Sequence, residues 1–197
     1  MRALVYFVAV SLDGRIAGPA GETEAFPTDP GYLARLAEDW GDGLPTGFHQ
    51  AMGTTPPGTR WDTVVMGRGT FQPALDAGVA DPYAHLDTYV LSGTLDPAEH
   101  PGVTVVAEDA VTFVRDLKRR AGGDIWLCGG GALAGALADE VDRLVLKVNP
   151  VVLGAGVPLF DGRFAPTTWR ATAEASPGAG VRLLTYERVR AEERSGS

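Results

Sequence analysis

The chain has 197 residues, of which 45% are hydrophobic and 21% charged, and a net charge of -8. That length and balance suit one folded domain burying roughly 70% of the surface its unfolded chain exposes, and they exclude a disordered or fibrous chain. The acidic surplus lacks the basic footprint of a nucleic-acid surface, and a single cysteine, Cys128, allows neither an internal disulfide nor a cysteine-built zinc site.

Residues 3–10 are apolar at every position, as in a central strand covered on both faces. The run passes directly into Ser11-Leu12-Asp13-Gly14-Arg15 with no cleavage-site pattern, so it is read as a strand rather than a signal peptide. No other stretch has the length of a membrane span, and a cytoplasmic protein is expected. Asp13-Gly14 marks a turn, Ile16 and Ala17 resume the apolar pattern, and residues 18–22 form a glycine- and proline-bearing loop at the strand end. Asp29 then caps a helix with Pro30 in its first turn, and Tyr32, Leu33, Leu36, Ala37 and Trp40 make its apolar stripe. Glu38 and Asp39 read as solvated residues. Residues 41–60 are rich in Gly, Pro and Thr and read as a weakly ordered insertion or lid with one short helix at 48–52.

A strand at 61–66 runs into Gly67-Arg68-Gly69-Thr70-Phe71, a strand-to-helix junction that offers free N–H groups, a cation and a hydroxyl. Strands follow at 88–91, leading into Ser92-Gly93-Thr94, and at 103–106. Residues 109–120 carry the helical period in Ala110, Phe113, Val114 and Leu117, with Lys118, Arg119 and Arg120 as a solvated cationic end. Next comes the apolar run of residues 125–128, which ends in Gly129-Gly130-Gly131 and continues as a helix carried by Leu133, Ala134, Leu137 and Ala138. Taken alone, the triglycine fits two readings, a phosphate cradle or a turn that binds nothing. Residues 143–148 form a strand stopped by Asn149-Pro150, 151–160 a surface loop, and 169–175 with 181–189 a terminal hairpin. Residues 1–190 make the domain and 191–197 a polar tail. Alternating strands and helices followed by strands define an α/β fold, a mostly parallel sheet with an antiparallel C-terminal hairpin.

Gly129 to Ala134 satisfies G-x-G-x-x-G/A, the dinucleotide fingerprint, yet the next strand ends at Val148-Asn149-Pro150 without the carboxylate that a ribose would need. Four motifs in order explain more: the first strand into Ser11-Leu12-Asp13-Gly14, Met66-Gly67-Arg68-Gly69-Thr70, Leu91-Ser92, and Cys128-Gly129-Gly130-Gly131. Together they resemble the dihydrofolate reductase-like fold, in its branch related to the RibD C-terminal reductase domain of riboflavin biosynthesis. The resemblance implies an NADPH-dependent reductase and a homodimer. It implies that Gly67, Arg68, Gly69 and Thr70 meet the pyrophosphate, Leu91 and Ser92 the adenosine and its 2'-phosphate, and Gly129, Gly130 and Gly131, flanked by Cys128, Ala132 and Leu133, the diphosphate and nicotinamide ribose. Ala9 and Ile16 would line the nicotinamide pocket, and the Gly129–Gly130 bond would be cis.

The substrate side departs from that pattern. The riboflavin reductases carry a lysine two residues before the strand-end alanine and a glutamate before the paired glycines, where this chain has Phe7 and Cys128. Asp13 is the polar group nearest the site by sequence and the candidate for catalysis, with a turn role as its alternative. Two expectations follow: hydride transfer to a small heterocycle or conjugated bond, such as a riboflavin-pathway pyrimidine or a dihydropteridine, or a nucleotide-binding dimeric module without turnover.

Overall fold

The computed structural model describes residues 1–190, so the tail expected at 191–197 lies outside the described residues. An eight-stranded sheet runs in the order β5-β4-β3-β6-β1-β7-β10-β9. Its parallel strands are β1 (Leu4–Val10), β3 (Trp61–Gly67), β4 (Asp87–Leu91), β5 (Thr104–Val106), β6 (Asp124–Gly129) and β7 (Arg143–Val148). The hairpin of β9 (Trp169–Gly178) and β10 (Val181–Arg188) adds the antiparallel edge, with β10 paired to β7. The apolar first strand lies between β6 and β7, which is why both of its faces are covered.

Helices close both faces. Helix α1 (Pro30–Trp40) lays Tyr32 and Leu36 on Phe7, Val64 and Met66, together with Phe71 of α3 (Arg68–Asp76). Phe113, Val114 and Leu117 of α4 (Ala110–Arg119) and Ala134 of α5 (Gly131–Ala136) pack on the other face against Leu4, Tyr6 and Val65. Alternation along β1 divides its side chains between these two cores. Caps match the sequence reading: Asp29 accepts from the Tyr32 N–H at 2.9 Å and Asp109 from the Thr112 N–H at 2.9 Å.

Three regions depart from the sequence reading. Residues 41–60, read as weakly ordered, are tied down by Asp42, which is fully buried and accepts from the N–H groups of Gly58, Thr59 and Arg60 at 2.6, 2.9 and 2.8 Å. Helix α2 (Thr46–Met52) lies within this region, and its His49 is hydrogen-bonded to the Gly41 carbonyl and the Thr54 hydroxyl. Lys118 is not solvated: it is 5% exposed, pairs with Asp142 and donates to the Glu140 carbonyl at 2.9 Å. Finally, the loop at 151–160 contributes β8 (Val157–Pro158), which pairs with β2 (Arg15–Ala17) in a small second sheet. Each of these depends on a partner far along the chain, which local pattern does not reveal.

Candidate active site at the carboxyl edge of the sheet

The register places the predicted motifs side by side. Leu91 pairs with Gly67, Met66 with Gly129, and Ala9 with Lys147, so the ends of β4, β3, β6, β1 and β7 form one row. Parallel strands connected through helices direct all their carboxyl ends to the same edge, where α/β sheets present their ligand crevices.

Two helices begin on this row, and both differ from α1 and α4. Gly67 stands at the start of α3 and Gly130 at the start of α5, and neither helix start has a side-chain cap. Their first N–H groups therefore remain available to an acceptor brought from outside. The two turns also touch. The Thr70 hydroxyl lies 3.4 Å from where a Cβ on Gly130 would stand, so Thr70 and the triglycine share one concave surface. A Cβ on Gly131 would meet the Pro158 carbonyl, a close approach that only glycine permits. The Gly129–Gly130 bond is cis, as the resemblance implies. Ala132 is exposed beside the turn, while Leu133 packs inward with its Cβ 3.8 Å from the Cβ position of Gly67.

At the β4 end, Ser92 accepts from the N–H groups of Thr94 and Leu95 at 3.2 and 3.1 Å and so shapes a tight turn. Arg68 reaches the same turn and donates to the Thr94 hydroxyl at 2.8 Å. Arg68 thus stands beside neutral hydroxyls, with no ion pair among the described residues, as a binder of an incoming phosphate should. The exposed Gly69 has open space around it. These residues fit an extended dinucleotide phosphate: uncapped N–H groups in the middle, a guanidinium with only a hydroxyl partner and further hydroxyls at one end.

Of the remaining predicted residues, Ala9 stands in the row of strand ends, while Ile16 and Asp13 lie on the β2 side of β1. Ala9 belongs to the face covered by α1, whereas Ile16, on β2, packs against the opposite core with Tyr6 and Val8 as neighbours in that cluster. Asp13 accepts from the Ser11 hydroxyl at 2.6 Å and from the N–H groups of Leu153 and Gly154 at 3.0 and 2.8 Å. The Ser11 contact first, then these backbone groups, hold its carboxyl down to about 2. It is a fixed anion that joins two loops, a geometry that suits the turn role rather than proton donation.

Phe7 and Cys128 are explained by packing. The Phe7 ring stacks on Trp40 at 5.1 Å and meets Trp61 and Trp126 edge-on or tilted, and the Trp126 indole donates to the Phe7 carbonyl at 2.9 Å. Gly43 is buried against this ring, where any Cβ would collide with it. The Cys128 thiol lies 3.9 Å from the Tyr83 hydroxyl, and burial pushes it up to about 11. Burial likewise raises Tyr83, which packs edge-on against Trp126 at 4.8 Å.

Sequence reasoning missed Lys147, whose ammonium lies 4.1 Å from the centre of the Phe7 ring. Burial pushes it down to about 8, partly opposed by the nearby Cys128. After Arg143, β7 is formed of Leu and Val apart from this lysine, and a charged residue interrupting that apolar run was the available signal. A separate cleft of about 500 Å³, lined by Val5, Trp40, Arg60, Trp61 and Arg143, opens near the amino ends of the strands, away from the row.

This sheet order, with its cis-glycine turn and carboxyl-edge site, is a dihydrofolate reductase-like fold. Within it, the chain belongs to the RibD C-terminal domain family, whose model matches residues 2–181. It is 32% identical over 184 residues to the uncharacterized protein YwjB of Bacillus subtilis (strain 168), covering 92% of this chain and 96% of that protein. A solved protein from Shewanella sp. PV-4 assigned to riboflavin biosynthesis superposes with a TM-score of 0.70 at 26% identity, over 95% of this chain and 99% of the other. Dihydrofolate reductase from Enterococcus faecalis, complexed with NADP(H), superposes with a TM-score of 0.62 at 18% identity over 94% and 96% of the two chains, a likeness of fold.

Proposed function

We propose that this protein is a cytoplasmic NADPH-dependent reductase acting on a small heterocyclic or conjugated substrate. The observation that carries the reading is the continuous row of strand ends, in which two uncapped glycine junctions share one surface beside Arg68 and Ser92. Family membership and a solved relative that holds NADP(H) support the same cofactor. In this reading NADPH supplies the hydride. Arg68 and Ser92 take its 2'-phosphate, the N–H groups that begin α3 and α5 take its pyrophosphate, and Ala9 leaves room for the nicotinamide. The chain's contribution is to align two rings and to exclude water between them.

A riboflavin-pathway pyrimidine and a dihydropteridine are the first compounds to test. Titration with NADPH, followed by quenching of tryptophan fluorescence, should saturate, and NADPH should be oxidised with at least one member of a pyrimidine, pterin, folate and quinone panel. Absence of NADPH binding would overturn the reading. Binding without turnover across the panel would favour a nucleotide-binding module instead. A homodimer belongs to the same proposal on family resemblance; the ten-residue exposed edge strand β9 supplies a surface for it, and sedimentation as a clean monomer at micromolar concentration would refute it.

A further inference from the structure

The cleft at the amino edge is a formed cavity with no part in the cofactor row, and it lies on the α1 face of the sheet. Arg35 of α1 donates to the Pro177 carbonyl in the hairpin, and Trp40, at the helix end, stacks on Phe7. Past Trp40 the amino-edge part of the outer strands stays open. Its floor is low because alternate positions of β9 are alanines: Ala175 stands opposite Leu183 of β10, and Ala173 opposite Thr185. Ala173 and Ala175 are exposed and Thr185 is half-buried, so a ligand can rest on them. The space above them, about 500 Å³, has the size of a small-molecule site.

The charges that line this cleft are matched except for one. Asp124 pairs with Arg143 at 3.2 Å, Glu174 with Arg182 at 3.4 Å and Glu187 with Arg170 at 3.5 Å. Arg60 is exposed and has no ion pair among the described residues. Its Nε donates to the Asp39 carbonyl near the end of α1 at 2.8 Å, and its guanidinium lies 4.2 Å from the centre of the Trp40 ring. Stacked on a ring and held by one nitrogen, the fork is set in place before any anion arrives. Trp61, the next residue, forms part of the cleft wall and carries a second unmet donor, an indole N–H buried without a hydrogen-bond partner among the described residues. An unpaired buried donor is costly, so this wall favours an acceptor.

We propose that this cleft is a second ligand site, separate from the cofactor row, and that it takes a small monocarboxylate with an apolar body. The carboxylate sits on the Arg60 fork, and the body lies along Ala173, Ala175 and Thr185. One negative charge suits the cleft better than two, because Asp124, Glu174 and Glu187 line the same space and repel a dianion such as a phosphate monoester. A neutral molecule of the same shape keeps the floor contact and loses the charge-assisted hydrogen bonds. None of this depends on the reductase reading.

With four tryptophans in the chain, 15N labelling gives four indole N–H signals, and Trp40→Phe and Trp61→Phe assign the two at the cleft. 3-Phenylpropionate serves as the probe, with 3-phenylpropanol as its neutral counterpart and phenyl phosphate as its dianionic one. The probe should shift the Trp40 and Trp61 signals and bind at least about tenfold more tightly than either counterpart. Arg60→Gln should remove that preference. Ala173→Leu, at an exposed position, should fill the floor and weaken the acid and the alcohol alike. No shift at millimolar 3-phenylpropionate, a preference unchanged in Arg60→Gln, or binding untouched by Ala173→Leu overturns the proposal. Displacement of the probe by NADPH overturns it too, since the cleft would then be the cofactor's. Probe binding that persists at saturating NADPH supports the second site, and probe binding in a protein that fails to bind NADPH supports the cleft while counting against the cofactor reading.

Discussion

The two ends of the parallel strands are built from opposite chemistry. At the amino edge, backbone and side-chain charges are matched: Arg2 pairs with Asp62, Lys118 with Asp142 and Arg143 with Asp124. The carboxylates of Asp124 and Asp142 also accept from the N–H groups of Ala3 and Leu4 at 3.0 and 2.9 Å. At the carboxyl edge, two helices begin without a side-chain cap, Arg68 has only a neutral partner and Lys147 rests on a ring. A sheet locked at one end can leave donors and cations uncompensated at the other, and those groups define where a ligand binds.

Breaking the locked end should affect stability and leave the cofactor alone. Asp142→Ala leaves Lys118 as an unpaired buried cation and frees the Leu4 N–H, so it should cost about 3 kcal/mol. That lowers the melting temperature by roughly 6–12 °C for a chain of this size. NADPH affinity, measured on the folded protein, should be unchanged. Breaking the open end should do the reverse. Gly130→Val keeps an extended backbone that valine can adopt (φ -90°, ψ -165°) but places a side chain against Thr70 and inside the cradle. NADPH affinity should fall by about 10- to 100-fold, the range expected when charge-assisted hydrogen bonds are lost, with little change in melting temperature.

Finer comparisons separate the phosphates and the lysine. Ser92→Asp preserves an acceptor for the Thr94 and Leu95 N–H groups while adding a negative charge beside Arg68. It should weaken NADPH about tenfold more than NADH, roughly 1.4 kcal/mol of discrimination; equal losses would remove the 2'-phosphate from this turn. The smallest effect is the pH dependence of Lys147. Its folded value of about 8 lies below the ordinary 10.5, so above pH 8 the unfolded chain binds more protons and stability rises with pH. Above pH 9 the Cys128 thiol, raised from its ordinary 9 to about 11, opposes that rise. Denaturant titrations between pH 7.5 and 9 should therefore show a gain in the wild type that Lys147→Met flattens.

Much of the open end could be read from the sequence because its signals are local. A strand that ends in Gly129-Gly130-Gly131, or in Gly67-Arg68-Gly69-Thr70, shows both the element and its exit within a few residues, and Asp29 and Asp109 announce their helices. The locked end was illegible because its pairs join distant residues: Lys118 looks like an ordinary basic helix end until Asp142 is beside it. Asp42 similarly orders residues 58–60 from outside that segment. The substrate wall was lost for both reasons. Phe7 and Cys128 marked the absence of a lysine and a glutamate, but the lysine that stands over Phe7 comes from another strand, 140 positions further along the chain.

The most direct test is a structure determined with NADPH bound. The expected result is the 2'-phosphate at Arg68 and Ser92, the pyrophosphate between the starts of α3 and α5, and the nicotinamide beside Ala9. A cofactor found in the amino-edge cleft between Trp40 and Arg143, or none bound at saturating concentration, would contradict it.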